Sequence, residues 1–215
     1  MNHNSQAIAI TKDRSGHWLK RQWDVLRSAR WLGLGQYGGN YRRMDRLYLV
    51  EDPWGLASRR EAWRFELTNA AIARHVPDCD SLLEIGTGEG IQTLQFQKVA
   101  RRVTGIEVSP LAAARARAVV PDVEILVGPA EDVTQLVGDQ RFDLITACEM
   151  LYFVPEAAQL LEDLQALAPR VLVTAYEKRA KLLAHHFCGP GWARLDDIVS
   201  DGTHWRCYLW TRPQG

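Results

Sequence analysis

The chain has 215 residues, 47% of them hydrophobic, and its 26 Lys/Arg balance 26 Asp/Glu. That length suits one α/β domain with an extension, and that apolar share supplies a core, which excludes wholesale disorder. The zero net charge hides an asymmetry: residues 1–64 carry 12 Lys/Arg and 6 Asp/Glu, the remainder 14 and 20. Met1 to Thr11 lacks a charged-then-apolar signal pattern, and no uninterrupted apolar run is long enough to span a bilayer. Cys79, Cys148, Cys188 and Cys207 form no CxxC pair and read as reduced thiols. A soluble, cytoplasmic protein is expected.

The basic leader also holds Trp18, Trp23, Trp31, Trp54 and Trp63, five of the eight tryptophans. A basic, aromatic stretch before an acidic domain is expected to dock on that domain; the rival reading is a cationic surface for nucleic acid. Interspersed aromatics, with no block of like charge, favour docking. Within it, Gly16 to Leu32 has helical spacing at Leu19, Trp23, Leu26 and Arg30, and Gly33, Gly35, Gly38 and Gly39 break the pattern. Arg43 to Val50 is a short apolar and basic mix of no clear type. Asp52-Pro53-Trp54-Gly55 reads as a turn, because proline fixes φ and restricts its predecessor. Ser58-Arg59-Arg60-Glu61 reads as a capping box opening a helix to about His75, which Val76-Pro77 stops. Residues 1–77 are expected to form a helical, Trp-rich lid and residues 78–215 the core domain.

From Asp80 onward strand and helix alternate, the signature of a parallel sheet covered on both faces. Strands are predicted at Ser81–Ile85, Val103–Glu107, Val123–Val127, Phe142–Cys148 and Val171–Ala175. Helices are predicted at Ile91–Val99, after Ser109-Pro110 to about Val119, at Pro155–Leu167 and at Arg179–Phe187. Ala193–Val199 and Trp205–Thr211 flank Asp201-Gly202, the signal of an antiparallel hairpin.

Leu82-Leu83-Glu84-Ile85-Gly86-Thr87-Gly88-Glu89-Gly90 organises the rest. A strand passing through a glycine-rich turn into a helix is where open α/β sheets bind nucleotides. The spacing is G-x-G-x-G, not the G-x-G-x-x-G of dinucleotide binding. Glu84 and Glu89 would repel a pyrophosphate and suit a ligand bearing an amino group and a sulfonium. Glu107 ends the next strand about 20 residues on, the distance at which a carboxylate grips ribose hydroxyls.

Loop and acid together resemble motifs I and II of the class I S-adenosylmethionine-dependent methyltransferases. The resemblance implies a Rossmann-like, seven-stranded, mostly parallel sheet whose last strand inserts antiparallel between the fifth and sixth. It implies S-adenosyl-L-methionine as cofactor, bound by Glu84, Gly86, Thr87, Gly88, Gly90, Glu107 and Val108. Val127-Gly128-Pro129-Ala130-Glu131-Asp132 takes the place of the adenine loop. Pro129 stands where the family often has aspartate, so Ala130 and Glu131 are the adenine-side candidates. Phe142-Asp143-Leu144-Ile145 and Cys148-Glu149-Met150-Leu151-Tyr152-Phe153 frame motif IV, with Cys148 beside the cofactor. The E-x-L-Y-aromatic segment, together with the Asp52-Pro53-Trp54 turn and a helix bearing Phe65-Glu66, resembles the NodS nodulation methyltransferases, which N-methylate an amino sugar.

The expected reaction is methyl transfer to a small or medium-sized acceptor, an amine being favoured, with O-methylation the nearest alternative. Nucleic acid is disfavoured, because Cys148-Glu149-Met150-Leu151 is not the D/N-P-P-Y/F of nucleic-acid amino methyltransferases. A third glycine one residue later would have been needed for an NAD enzyme. Methyl transfer from a sulfonium asks mainly for positioning, with a base only for a protonated acceptor. Glu149 and Tyr152 are the catalytic candidates; the plainer reading has Glu149 capping a turn and Tyr152 packing. Trp54 either stacks at the cofactor pocket or anchors its turn. His185, His186, Cys188, His204 and Cys207 match no zinc spacing, with His185 and His186 expected on different sides of a helix, so no metal is expected. His204 is a substrate-side residue or simply a strand residue.

Overall fold

The computed structural model describes residues 39–214. The expected helix over Gly16 to Leu32, the first glycines after it, and Trp18, Trp23 and Trp31 lie outside those residues. Among the described residues two helices precede the sheet, α1 (Tyr41–Leu47) and α2 (Arg59–His75). The Arg43–Val50 mix thus turns out helical over its first half. Ser58 caps α2 by accepting the Glu61 amide at 3.4 Å. The reciprocal half of the capping box is absent, because the Glu61 carboxylate turns to Arg60 and Arg64 instead.

Alternation then runs as the pattern predicts, with one short helix, α5, that the pattern did not place and a last helix that starts and ends earlier: β1 (Ser81–Ile85), α3 (Ile91–Phe96), β2 (Arg102–Glu107), α4 (Pro110–Val119), β3 (Glu124–Val127), α5 (Val133–Val137), β4 (Leu144–Cys148), α6 (Ala157–Leu167), β5 (Arg170–Tyr176) and α7 (Glu177–Leu183). Two short strands and a long one follow: β6 (Trp192–Arg194), β7 (Ile198–Ser200) and β8 (Thr203–Thr211). The sheet order is β3-β2-β1-β4-β5-β8-β6, with β7 also on β8. β1 through β5 are parallel, and β8 runs antiparallel between β5 and β6. This is a Rossmann-like α/β sheet with an antiparallel insertion near one end.

The strand expected over Ala193–Val199 is split. Asp197 turns its carboxylate to Arg194 at 3.0 Å and to Arg206, and the intervening residues leave the ladder. Beyond it Asp201 and Gly202, at φ 47° and 68°, make the hairpin turn that Asp-Gly supplies most readily.

Alternate residues of each strand feed opposite layers. Leu83, Ile85, Ile145, Val171 and Val173 pack with α6 through Leu160, Leu161 and Leu164. Leu82, Val103, Leu144 and Leu172 pack on the other face with Ala113 and Ala116 of α4 and with Ile72 and Val76. Helix α2 therefore shares the core of the sheet, although the sequence groups it with the extension. Each fully buried aliphatic side chain contributes about 1.5–3 kcal/mol. The neighbours of β1 lead away in opposite directions, to β2 and to β4, so its carboxyl end is the switch point where such sheets bind ligands.

Candidate functional site

A cavity of ≈ 490 Å³ opens at that switch point. Its floor is the glycine loop. Gly86, Gly88 and Gly90 sit at φ 81°, 54° and 82°, where a side chain is strained. A Cβ at Gly90 would lie 3.0 Å from the Ala116 Cα, so this glycine also sets how closely the loop approaches α4. The amides of Gly86 and Thr87 donate to Ile106 O at 2.8 and 3.1 Å, fixing the loop to the end of β2. Glu107 is 4% exposed and accepts from the Gly88 and Ser109 amides at 2.7 and 2.9 Å. Each carboxylate oxygen keeps a further lone pair for a ligand hydroxyl. Burial raises the Glu107 carboxyl above its ordinary range, and the amides of Ser109, Gly88 and Val108 hold it down.

A second polar corner lies beneath α2. Glu84 is 2% exposed, and its Oε2 has no hydrogen-bond partner among the described residues. Burial pushes its carboxyl up to about 8. Arg64, equally buried, donates from Nε to Glu61 Oε2 at 2.6 Å and from Nη1 to Gln92 Oε1 at 3.3 Å. The buried Gln92 Nε2 is left without a partner, as Glu84 Oε2 is. All four side chains line the cavity. An unfilled acceptor and unfilled donors, both buried, cost free energy until a ligand completes them. A ligand presenting an ammonium and a carboxylate on one carbon has the complementary set.

The third group comes from the end of β4. Glu149 has φ 60°, a strained value for a non-glycine residue that clusters at functional sites. Its Oε2 accepts from the Tyr152 hydroxyl at 2.9 Å and the Tyr176 amide at 2.9 Å, and its Oε1 from the Thr174 hydroxyl at 3.2 Å. Loss of water raises the Glu149 carboxyl, while Arg64 and these three donors oppose the rise. Glu149 and Tyr152 thus form a bonded pair inside the cavity wall. Trp54 completes that wall: its Nε1 donates to the Tyr48 hydroxyl at 3.2 Å and its ring lies 5.6 Å from Phe153. It both faces the cavity and anchors its turn.

Residues 39–57 arch over the loop through bonds to the core. The Tyr41 hydroxyl donates to Glu131 at 2.5 Å, Ser109 Oγ to Asp45 at 2.5 Å, Arg115 to Val50 O at 3.2 Å, and the Asp52 amide to Glu89 at 2.7 Å. Tyr48 brings its hydroxyl over Gly88, within 3.1 Å of where a Cβ would stand.

Of the expected cofactor residues, Glu84, Gly86, Thr87, Gly88, Glu107, Val108, Ala130, Cys148 and Trp54 line the cavity. Gly90 does not, and acts through packing on α4. Glu131 is also outside the wall, its carboxylate taken by Tyr41, and Glu89 serves Arg115 and Asp52 rather than a ligand. Cys148 is inert as a thiol, since burial pushes it up to about 12. On β8, Thr203 and Trp205 face the cavity, and alternation turns His204 away. The rings of His185 and His186 lie 3.9 Å apart in a 3₁₀ turn and not on different sides of a helix. Among the described residues no three His, Cys, Asp or Glu side chains gather as metal ligands would. The sequence reading missed Arg64 and Gln92. Arg64 left a trace, a charge on the Glu61, Arg64, Phe65, Thr68, Ile72 stripe that α2 buries.

Residues 83–170 match the family model described as Methyltransferase domain. The chain is 28% identical over 121 residues to Nodulation protein S of Sinorhizobium fredii, covering 56% of each protein. It is 30% identical over 129 residues to Ubiquinone biosynthesis O-methyltransferase of Pseudoalteromonas translucida, covering 57% of this chain and 53% of that protein. The chain thus spans about half the length of the curated relatives it matches. Among solved structures, the N-methyltransferase NodS from Bradyrhizobium japonicum, in complex with S-adenosyl-l-homocysteine, superposes with a TM-score of 0.64. That likeness covers 82% of this chain and 100% of that one at 17% identity, and it concerns the fold. Among the described residues no helix is long and apolar enough to cross a membrane.

Proposed function

We propose that the chain is a class I S-adenosylmethionine-dependent methyltransferase resembling NodS and that it methylates a small or medium-sized amine, a reading supported by the match of residues 83–170 to the Methyltransferase domain model. The observation that carries the reading is the pair of unfilled buried atoms, Glu84 Oε2 and Gln92 Nε2, beside Arg64. They fit the amino-acid end of S-adenosylmethionine, Glu84 taking the ammonium, Arg64 and Gln92 the carboxylate. Glu107 takes the ribose hydroxyls, and Val108 and Ala130 flank the base. When bound, the cofactor supplies a methyl group on a sulfonium that needs no further activation.

The acceptor end has a carboxylate, Glu149, and the rings of Trp54, Tyr152 and Phe153. Rings and a carboxylate together attract an ammonium. Glu149 takes one proton from it, and Tyr152 holds Glu149 in place by its hydroxyl. With that proton on Glu149, the amine would be free to accept the methyl group that bound S-adenosylmethionine would supply. A hydroxyl acceptor is the alternative, and the ubiquinone O-methyltransferase relative favours it. Of the expected lid, the described residues 39–57 take that part, for which the bonds from Tyr41, Asp45, Val50 and Asp52 to the core speak. Four free cysteines suit a reducing cytoplasm.

Calorimetry with S-adenosylhomocysteine and NAD tests the cofactor, and a screen of amines, amino sugars and phenols with labelled methyl donor tests the acceptor. Binding of NAD, with no response to the adenosyl compound, overturns the reading. Transfer to phenols alone moves it to oxygen.

A further inference from the structure

One carboxylate on α2 is shared by two guanidinium groups. Glu61 Oε2 accepts from Arg64 Nε at 2.6 Å, and Glu61 Oε1 accepts from Arg60 Nε at 3.1 Å and is ion-paired with its Nη2 at 3.0 Å. All three side chains line the cavity, so this part of its wall carries one positive charge in excess. Arg64 is buried, and the proposed cofactor carboxylate accounts for it. Arg60 is different: its side chain lines the cavity and is 43% exposed.

Its surroundings connect it to the acceptor groups. Ser200 Oγ donates to Arg60 O at 2.8 Å, which holds the β7–β8 turn against the first turn of α2. Thr203, just past that turn, lines the cavity, as does Trp205. Trp205 pairs in register with Tyr176, whose amide donates to Glu149. A continuous wall thus runs from Glu149 through Tyr176 and Trp205 to Arg60 and Thr203. One end is anionic and the other cationic, with rings between.

We propose that Arg60, aided by the Thr203 hydroxyl, is an anion subsite for the acceptor: the amine that Glu149 receives carries a carboxylate or phosphate at its far end. The substrate class is then a zwitterion, an amino acid or phosphorylated amino sugar rather than a neutral amine. This rests on the methyl-transfer reading above. The wall discriminates because an anionic acceptor makes charge-assisted bonds to the edge of the Arg60 guanidinium that Glu61 leaves free, whereas a neutral one does not.

Matched probes differing only in the anion test it: glucosamine against glucosamine 6-phosphate, and n-butylamine against 4-aminobutyrate. The anionic member of at least one pair is expected to have a kcat/KM about ten- to hundredfold higher, mostly through KM. Which pair responds separates phosphate from carboxylate. Arg60→Gln should erase the advantage, Arg60→Lys restore part of it, and S-adenosylhomocysteine affinity stay within about twofold in both. Equal rates within both pairs, or an advantage that survives Arg60→Gln, overturn the proposal. Should no probe be methylated, calorimetry of the same pairs with protein loaded with S-adenosylhomocysteine decides. Tighter binding of the anionic member, lost in Arg60→Gln, upholds the subsite while removing the methyl-acceptor reading; equal binding removes the subsite.

Discussion

At the glycine-loop end of the cavity, polar contacts come largely from the backbone: the Gly88 and Ser109 amides on Glu107, and the Gly86 and Thr87 amides on Ile106. At the proposed acceptor end the wall is built from side chains on four separate elements, with Arg60 on α2, Glu149 and Tyr152 after β4, Tyr176 on β5 and Thr203 and Trp205 on β8. A backbone cradle follows from a short run of glycines and tolerates side-chain change around it. A wall assembled from distant side chains can alter its chemistry one residue at a time, which is why the two ends should respond differently to mutation.

The largest effect expected is at the acceptor end. Glu149→Gln should slow methyl transfer by about 10²–10⁴ while S-adenosylhomocysteine affinity stays within a few fold. The amide cannot take a proton, and its NH₂ would face the donors Tyr152, Thr174 or Tyr176. Some loss of Tm should therefore accompany it, and Tyr152→Phe should have a smaller effect of the same kind. Single-turnover kinetics with labelled donor separates the two; a parent-like rate would make Glu149 purely structural.

At the cofactor end the expected loss is smaller and lies in affinity. Glu107→Ala removes the acceptor proposed for both ribose hydroxyls, worth roughly 1.5–3 kcal/mol, or about ten- to hundredfold in Kd. The loop should persist, since Gly86 and Thr87 hold Ile106 O independently of Glu107. Unchanged affinity would put the ribose elsewhere and remove the distinction between the two ends.

How far the sequence reaches follows the same division. The order of strands and helices, the Ser109 cap and the Asp-Gly hairpin were legible because each depends on local periodicity or turn chemistry. The loop and Glu107 were legible because their spacing reflects two neighbouring parallel strands. Arg64, Gln92, Tyr176 and Trp205 were not, because only the folded sheet brings α2, α3, β5 and β8 to one edge. Glu131 misled for a related reason: its place after β3 suits adenine, but Tyr41, 90 residues away, takes its carboxylate.

A pH measurement sharpens the assignment of the corner beneath α2. Burial holds the Glu84 carboxyl up to about 8, above its ordinary value of 4.5. The folded protein therefore binds this proton more tightly than the unfolded chain does. Stability from the group is full below pH 4.5 and is lost as pH rises through 8. An ammonium placed on Oε2 favours the charged carboxylate and reverses the shift. Binding of S-adenosylhomocysteine near pH 7 should therefore release up to about one proton, read from calorimetry in buffers of different ionisation enthalpy. Glu84→Gln should abolish the release. A binding enthalpy independent of buffer in the parent would place the ammonium away from Glu84.

The smallest effect belongs to the arch over the loop. Tyr41 donates to both oxygens of Glu131, at 2.5 and 2.6 Å, and burial followed by that carboxylate raises its hydroxyl above the ordinary range, so it keeps its proton to donate. The pair is only partly buried, and its loss in Tyr41→Phe should cost about 1 kcal/mol, roughly a fivefold shift in local opening. Because residues 39–57 hold the core through several separate bonds, that shift should stay local and leave the Tm nearly unchanged. Hydrogen exchange is the suitable readout. Amides in 39–57 should exchange about fivefold faster in Tyr41→Phe, and S-adenosylhomocysteine should slow them in both proteins by filling the space the arch covers. If exchange there ignores both the substitution and the ligand, residues 39–57 are a fixed wall, and what admits the cofactor must be sought at the Arg60 end.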